Sequence, residues 1–135
     1  MLVLNLPLEG KAPCVPLSHA AVSEPLWLTL RSLTGVFQTN APDVYVCENP
    51  SVLIAAADAL GPRSHPLICT NGRPSAAAVR LLTRLAETGT SLHIRADDDT
   101  AGQEIVKALR SSVPTTHLWI DGLLFDLSWA FFSRT

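Results

Sequence analysis

The amino-acid sequence predicts an α/β fold: a mainly parallel four-stranded sheet with helices on both faces, plus a short β-rich N-terminal segment. Two observations support this. From residue 44 onward, short apolar runs alternate with longer stretches of helical periodicity. The short runs are continuously apolar, as in parallel strands that are covered on both faces. Right-handed crossovers would place the carboxyl ends of the strands at one edge, where ligands bind in such folds.

The predicted elements of this sheet alternate regularly. The strands are VYVCE (44–48), HPLICT (65–70), SLHIRAD (91–97) and THLWID (116–121). The first helix is predicted from Asn49 as a cap and Pro50 in the first turn to a stop at Gly61. The second follows a glycine turn, carries Arg80 and Arg84 on one face and is stopped by Gly89. The third follows the aspartate run at 97–99.

The remaining segments read less clearly. Residues 1–43 are proline-rich; LVLNLPL reads as a strand better suited to an edge because of Pro7, and PLWLTLRSL as a second, half-buried strand. We therefore divide the chain into an N-terminal β/loop segment (1–43), the α/β domain (44–122) and an apolar C-terminal tail (123–135).

The composition narrows the class of protein. With 47% apolar and 16% charged residues, the chain can build a folded core. A net charge of −2 gives no global reason to bind nucleic acid, although a local basic patch stays possible. The start of the sequence does not read as a signal peptide, and no apolar run has membrane-spanning length. The three cysteines lack zinc-site spacing, so we expect a reduced, cytoplasmic protein that does not bind membranes.

Acidic residues follow two of the predicted strands. Glu48 ends the first, and the third runs into Asp97, Asp98 and Asp99. If these aspartates are extended, Asp97 and Asp99 point to the same side, where Glu48 can join them. Converging carboxylates suit Mg²⁺ or Mn²⁺. Capping of the third helix by Asp99 explains the same residue equally simply, so both interpretations stay open.

Three segments together resemble a Toprim domain, the phosphoryl-transfer domain of topoisomerases, primases and several nucleases. They are VYVCENPSVL, PLICTNGRPSAAAVRLL and LHIRADDDTAGQEI, in that order. The chain is most similar to the Toprim-like C-terminal domain of bacterial proteins of unknown function. These are related to the nuclease subunit of Wadjet plasmid-defence systems and to the A subunit of type VI topoisomerase. The resemblance covers roughly residues 25–112.

The resemblance implies roles for particular residues. Asp97 and Asp99 would hold Mg²⁺ (or Mn²⁺), and Glu48 would bind metal or act as a general acid/base. Gly72, Arg73 and Gly102 are possible phosphate contacts. The implied activity is metal-dependent phosphodiester chemistry on DNA, as a nuclease or topoisomerase-type catalytic domain with a protein partner or separate DNA-binding domain. Asp98 departs from the apolar or aromatic residue expected at its position.

Other functions compete with this one. A catalytically inactive or truncated Toprim-like module would act through protein–protein contacts, and the apolar tail and negative charge favour it. A phospho-receiver domain would need a pair of acids after the first strand, where only Glu48 stands. A dinucleotide-binding domain would need a GxGxxG turn, which the sequence lacks. Tyr45, the single tyrosine, is predicted inside a strand, so it is not expected to be a topoisomerase nucleophile.

Overall fold

A computed structural model describes residues 1–95, 99–114 and 116–118 of the chain. Within these ranges the strands are β1 (Leu2–Leu4), β2 (Leu8–Gly10), β3 (Leu26–Trp27), β4 (Phe37–Thr39), β5 (Asp43–Cys47), β6 (Leu67–Cys69), β7 (Ser91–Arg95) and β8 (His117–Leu118). The α-helices are α1 (Cys14–Ala20), α2 (Pro50–Leu60), α3 (Ala76–Glu87) and α4 (Thr100–Ser112). Short 3₁₀ turns occupy Leu30–Leu33 and Gly61–Arg63.

The main sheet confirms the predicted fold class. Its strand order is β3-β1-β6-β5-β7-β8, and β6, β5, β7 and β8 are parallel to one another. The N-terminal strand β1 extends the sheet by pairing antiparallel to both β6 and β3. A separate two-stranded sheet joins β2 to β4. The fold is therefore a mixed α/β sheet with a parallel centre, consistent with a Rossmann-like arrangement.

The helices cover both faces of this sheet. On one face, α2 packs on the ends of β5 and β6 through a cluster of buried apolar side chains (Leu4, Cys47, Leu53, Ala56, Leu67 and Cys69). On the other face, α3 and α4 pack on alternate residues of β5 and β7 in a larger cluster (among them Val44, Val46, Leu81, Leu82, Leu85, Leu92, Ile94 and Leu109). Side chains alternate between the two faces of a strand, so each central strand contributes side chains to both clusters.

The predicted helix signals act as expected. The side chain of Asn49 accepts a hydrogen bond from the amide of Ser51, Pro50 opens α2, and Gly61 ends it with a positive φ of 53°. On α3, Arg80 and Arg84 lie one turn apart. Their Nε atoms donate to the carbonyl oxygens of Leu33 (3.4 Å) and Phe37 (3.0 Å). These two arginines therefore join α3 to the N-terminal segment.

The N-terminal segment differs from its predicted form. The strand predicted over PLWLTLRSL is limited to Leu26–Trp27, because Thr29 and Ser32 cap one another reciprocally and turn the chain into a 3₁₀ helix. The sequence did not indicate α1. Strand β1 ends before Pro7 and lies between two partners, so it is not an edge strand.

Three boundaries matter for the site. Strand β5 ends at Cys47, so Glu48 is the first residue after it. Strand β7 is described to Arg95, and residues 96–98 lie outside the described residues. So do residues 119–135, which include the end of the predicted fourth strand and the predicted apolar tail. Among the described helices, none combines the length and apolar character needed to cross a membrane.

Candidate metal-binding edge of the sheet

The strand order reverses beside β5. The chain passes from β5 to β6 on one side, then crosses back to β7 on the other side of β5. In open α/β sheets, ligands bind at such a switch point, outside the carboxyl ends of the strands. Strands β5 and β7 pair in parallel, and their last described register pair is Cys47 with Arg95. In the sequence Glu48 directly follows Cys47, and the aspartate run follows Arg95 after one intervening residue, Ala96.

The backbone of Glu48 is fixed by the loop that follows β6. Its carbonyl oxygen accepts a hydrogen bond from the amide of Gly72 (3.3 Å) and another from the thiol of Cys69 (3.3 Å). One residue earlier, the carbonyl of Cys47 accepts from the amide of Thr70 at 2.9 Å. The half-buried Glu48 therefore leaves the sheet from a defined backbone position.

The loop between β6 and α3 makes a tight turn. Asn71 and Gly72 both have positive φ values, 56° and 96°, and the hydroxyl of Thr70 donates to the carbonyl of Gly72 at 2.8 Å. Arg73 follows with an exposed side chain. Ser75 then caps α3 by accepting from the amide of Ala78. Of the predicted phosphate contacts, Arg73 thus offers a charged side chain at the surface of this edge.

Asp99 begins the third helix of the α/β unit. Its Oδ1 accepts a hydrogen bond from the amide of Gly102 at 2.6 Å, which confirms the predicted N-cap. A carboxylate has two oxygens, so capping through one leaves metal ligation possible in principle. The Gly102 amide already donates to this cap. Gly102 could therefore contribute to phosphate binding only because glycine, having no side chain, lets a phosphate approach the backbone closely. Asp97 and Asp98 lie outside the described residues.

The residue types at this edge fit a hard divalent cation. Glu48 and Asp99 supply carboxylate oxygens, which Mg²⁺ and Mn²⁺ prefer. Within residues 1–95, 99–114 and 116–118, no group of three or more histidine, cysteine, aspartate or glutamate side chains is placed to hold a metal. The predicted set of three requires Asp97, which lies outside those ranges, so the full set stays a prediction.

The sequence did not predict that two cysteines next to Glu48 would be paired across neighbouring strands. Cys47 and Cys69 are register partners on β5 and β6, and both are buried and reduced. Side-chain hydrogen bonding between them lowers the pKa of Cys69; the same contact, together with burial, raises the pKa of Cys47 well above its ordinary value. Their sequence signal is that each is the second-to-last residue of a predicted strand.

The rings of three neighbouring strands form a row on the same face as α2. Tyr45, His93 and His117 are register partners on β5, β7 and β8, with ring centroids 5.0 Å and 5.7 Å apart. Nε2 of His93 lies 2.9 Å from Oδ1 of Asp43. Tyr45 is thus a packed, half-buried ring in mid-strand, as its position in the sequence indicates.

Comparison with known proteins adds one finding. Residues 26–120 match the family described as "Protein of unknown function C-terminus (DUF2399)". The chain belongs to this family. Comparisons with curated proteins and with solved structures gave no match. The DUF2399 match covers β3 to β8, and therefore both carboxylate-bearing strand ends and the loop that carries Arg73.

Proposed function

We propose that this DUF2399 protein performs divalent-metal-dependent phosphodiester chemistry on DNA, as a Toprim-like catalytic domain within a larger DNA-processing or defence assembly. One observation carries the proposal: Glu48 follows the central strand at the point where the strand order reverses, beside the strand that leads to Asp97 and Asp99. The sequence resemblance to Toprim domains also supports the proposal, because it assigns metal chemistry to the same three acids, Glu48, Asp97 and Asp99. The DUF2399 match is compatible with that resemblance and supplies no activity of its own.

Each residue has a distinct role in this proposal. Glu48, Asp97 and Asp99 would supply the metal's oxygen ligands, with Glu48 able to act instead as a general acid/base. When bound, the metal would supply charge stabilisation to the phosphate oxygens. Arg73 would bind a neighbouring phosphate through its exposed guanidinium. The hydrogen bonds to the Glu48 carbonyl would orient that residue, because they fix the backbone from which its side chain extends.

Calorimetric titration with Mn²⁺ and Mg²⁺ tests the metal site. We expect saturable binding to the unaltered chain, weakened about tenfold or more by Glu48→Gln, Asp97→Asn or Asp99→Asn, since each removes an anionic ligand. Asn is as good an N-cap as Asp, so Asp99→Asn separates ligation from capping. Asp58→Asn, an exposed acid on α2, is the matched control and should bind like the unaltered chain.

Equal binding in all variants, or no saturable binding by the folded chain, would contradict the metal site. If binding is lost as expected, cleavage of supercoiled plasmid DNA with Mg²⁺ tests the activity, with the same variants as controls. A chain that binds metal without cutting DNA would need its partner or DNA-binding domain added before the activity is judged.

A second candidate is a non-catalytic module that binds other proteins. It is supported by exposed apolar side chains in the N-terminal segment: Trp27 is 56%, Leu30 48% and Val36 63% accessible. Absence of metal binding, together with concentration-dependent association that Trp27→Ser weakens in sedimentation experiments, would favour this function instead.

A further inference from the structure

The cysteines at the ends of β5 and β6 form a contact that the proposed metal chemistry does not use. Cys47 and Cys69 are direct register partners in neighbouring parallel strands, and both side chains lie on the α2 face of the sheet. Both residues belong to the same buried cluster, which also contains Leu53 and Ala56 of α2. Neighbouring strands are about 4.8 Å apart, inside the Cα separation of about 4.4–6.8 Å that disulfides span.

The surroundings of the two sulfurs are partly polar. The thiol of Cys69 donates to the carbonyl of Glu48 at 3.3 Å, and the thiol of Cys47 donates to the carbonyl of Asn49 at 3.7 Å. Both contacts lie where the strands end and the loops of the carboxyl edge begin. The two residues are 3% and 0% accessible, which restricts attack to small reagents. Cys14 is buried in the other core cluster and provides an internal reference.

We propose that Cys47 and Cys69 are a redox pair that hydrogen peroxide converts into an intrachain disulfide. One sulfur attacks the peroxide, the O–O bond breaks, and a sulfenic acid and a water form. The second sulfur attacks the first, the S–O bond breaks, and a second water leaves. Two thiols and one hydrogen peroxide thus give one disulfide and two waters: the sulfurs are oxidised and the peroxide is reduced.

Oxidation would act on the backbone of Glu48. The Cys69 thiol loses its hydrogen when the disulfide forms, so the bond from Cys69 to the Glu48 carbonyl is lost. The new covalent link would also set the spacing between the last residues of β5 and β6. The disulfide itself does not require a metal at this edge, so its formation can be tested separately from the proposed function.

The test uses the full chain, reduced and then treated with hydrogen peroxide under native conditions. Remaining thiols are alkylated in denaturant, and intact mass and peptide maps are recorded. We expect a single alkylated cysteine, Cys14, a mass loss of two hydrogens and a linked peptide pair containing Cys47 and Cys69. Cys14→Ser should still form this link. Cys47→Ser should not, and its remaining thiols should be alkylated or over-oxidised.

Three alkylated cysteines in the treated, folded chain would overturn the proposal, as would a link that includes Cys14. If Cys47→Ser does not fold, the peptide map of the unaltered chain decides alone. Asp99→Asn should form the disulfide normally, so that failure of the metal site and failure of the redox pair give different results.

Discussion

The pKa of the Tyr45 phenol depends on the groups that surround it in the sheet. Its ring lies in mid-β5 with centroids 5.0 Å from His93 and 5.5 Å from His65. Burial raises the pKa of its phenol above the ordinary value of 10.0, and the carboxylate of Asp43 raises it further. The folded state therefore disfavours the phenolate more than the unfolded state does. A raised pKa contributes stability below the unfolded value, and that contribution is lost as pH rises through the folded value.

The Tyr45→Phe replacement tests the direction of this pH dependence of stability, because phenylalanine keeps the ring and removes the ionisable group. We expect the unaltered protein to lose stability relative to Tyr45→Phe as pH rises above about 10. Urea unfolding at a series of pH values from neutral upward measures the difference. The cysteines titrate in both proteins, so their contribution cancels. A difference in unfolding free energy that stays constant across this range would contradict the burial of the phenol.

At the scale of elements, the small sheet of β2 and β4 depends on a close backbone approach. Gly10 pairs with Phe37 and has a φ of 127°. A side-chain carbon placed there would collide with the carbonyl oxygen of Val36. That same carbonyl accepts hydrogen bonds from the amides of Lys11 and Ala12. Glycine is therefore required at this position both by conformation and by space.

Gly10→Ala is expected to destabilise the protein by about 2–6 kcal/mol, the sum of backbone strain and forced displacement of a neighbour. Gly89→Ala is the matched control, because Gly89 has a φ of 95° with no atom within 4 Å of the added carbon. Strain alone should make that change cost about 1–2 kcal/mol. Chemical denaturation of both variants compares them, and equal losses would mean that the close approach at Gly10 does not exist.

The sequence could predict features whose signals act on neighbouring residues, but not features that depend on contacts between residues far apart in the chain. The start of α2 was predictable, because Asn49 and Pro50 act on the helix they begin. The Asp99 cap was predictable for the same reason. Pairing is non-local, so the order β6-β5-β7-β8 and the contact of Cys47 with Cys69 left no local pattern. The capping interpretation of Asp99 is confirmed, whereas metal binding by Glu48, Asp97 and Asp99 stays a prediction.

On the scale of the whole molecule, the segment before residue 44 is part of the main core. Phe37 is 2% accessible and packs in the same cluster as the helices α3 and α4 and the centre of the sheet. Arg80 and Arg84 reach from α3 to backbone carbonyls of this segment. These contacts predict that the segment and the α/β unit unfold together.

Phe37→Ala should reduce the free energy of unfolding by about 3–5 kcal/mol, because it leaves a cavity in the shared core. Val36→Ala, at the neighbouring exposed position, should change it by less than about 1 kcal/mol. Tryptophan fluorescence and far-ultraviolet circular dichroism measure both, and the two probes should give one coincident transition. Separate transitions, or similar small losses for the two variants, would show that the segment is an independent layer. Phe37→Leu is the milder substitute if Phe37→Ala does not fold.

The pairing of β1 with β6 has a consequence for biosynthesis. The ribosome completes β1 long before it makes Leu67–Cys69, so this strand spends much of translation without the neighbour that covers its inner edge. Its residues Leu2, Val3 and Leu4 are apolar, and exposed apolar strands invite chaperones or aggregation. Strand β5, which becomes the centre of the sheet, also has to wait for both of its neighbours. The nascent chain therefore cannot assemble this sheet from its N-terminus onward, and its yield in cells should depend on protection of β1 until β6 has emerged.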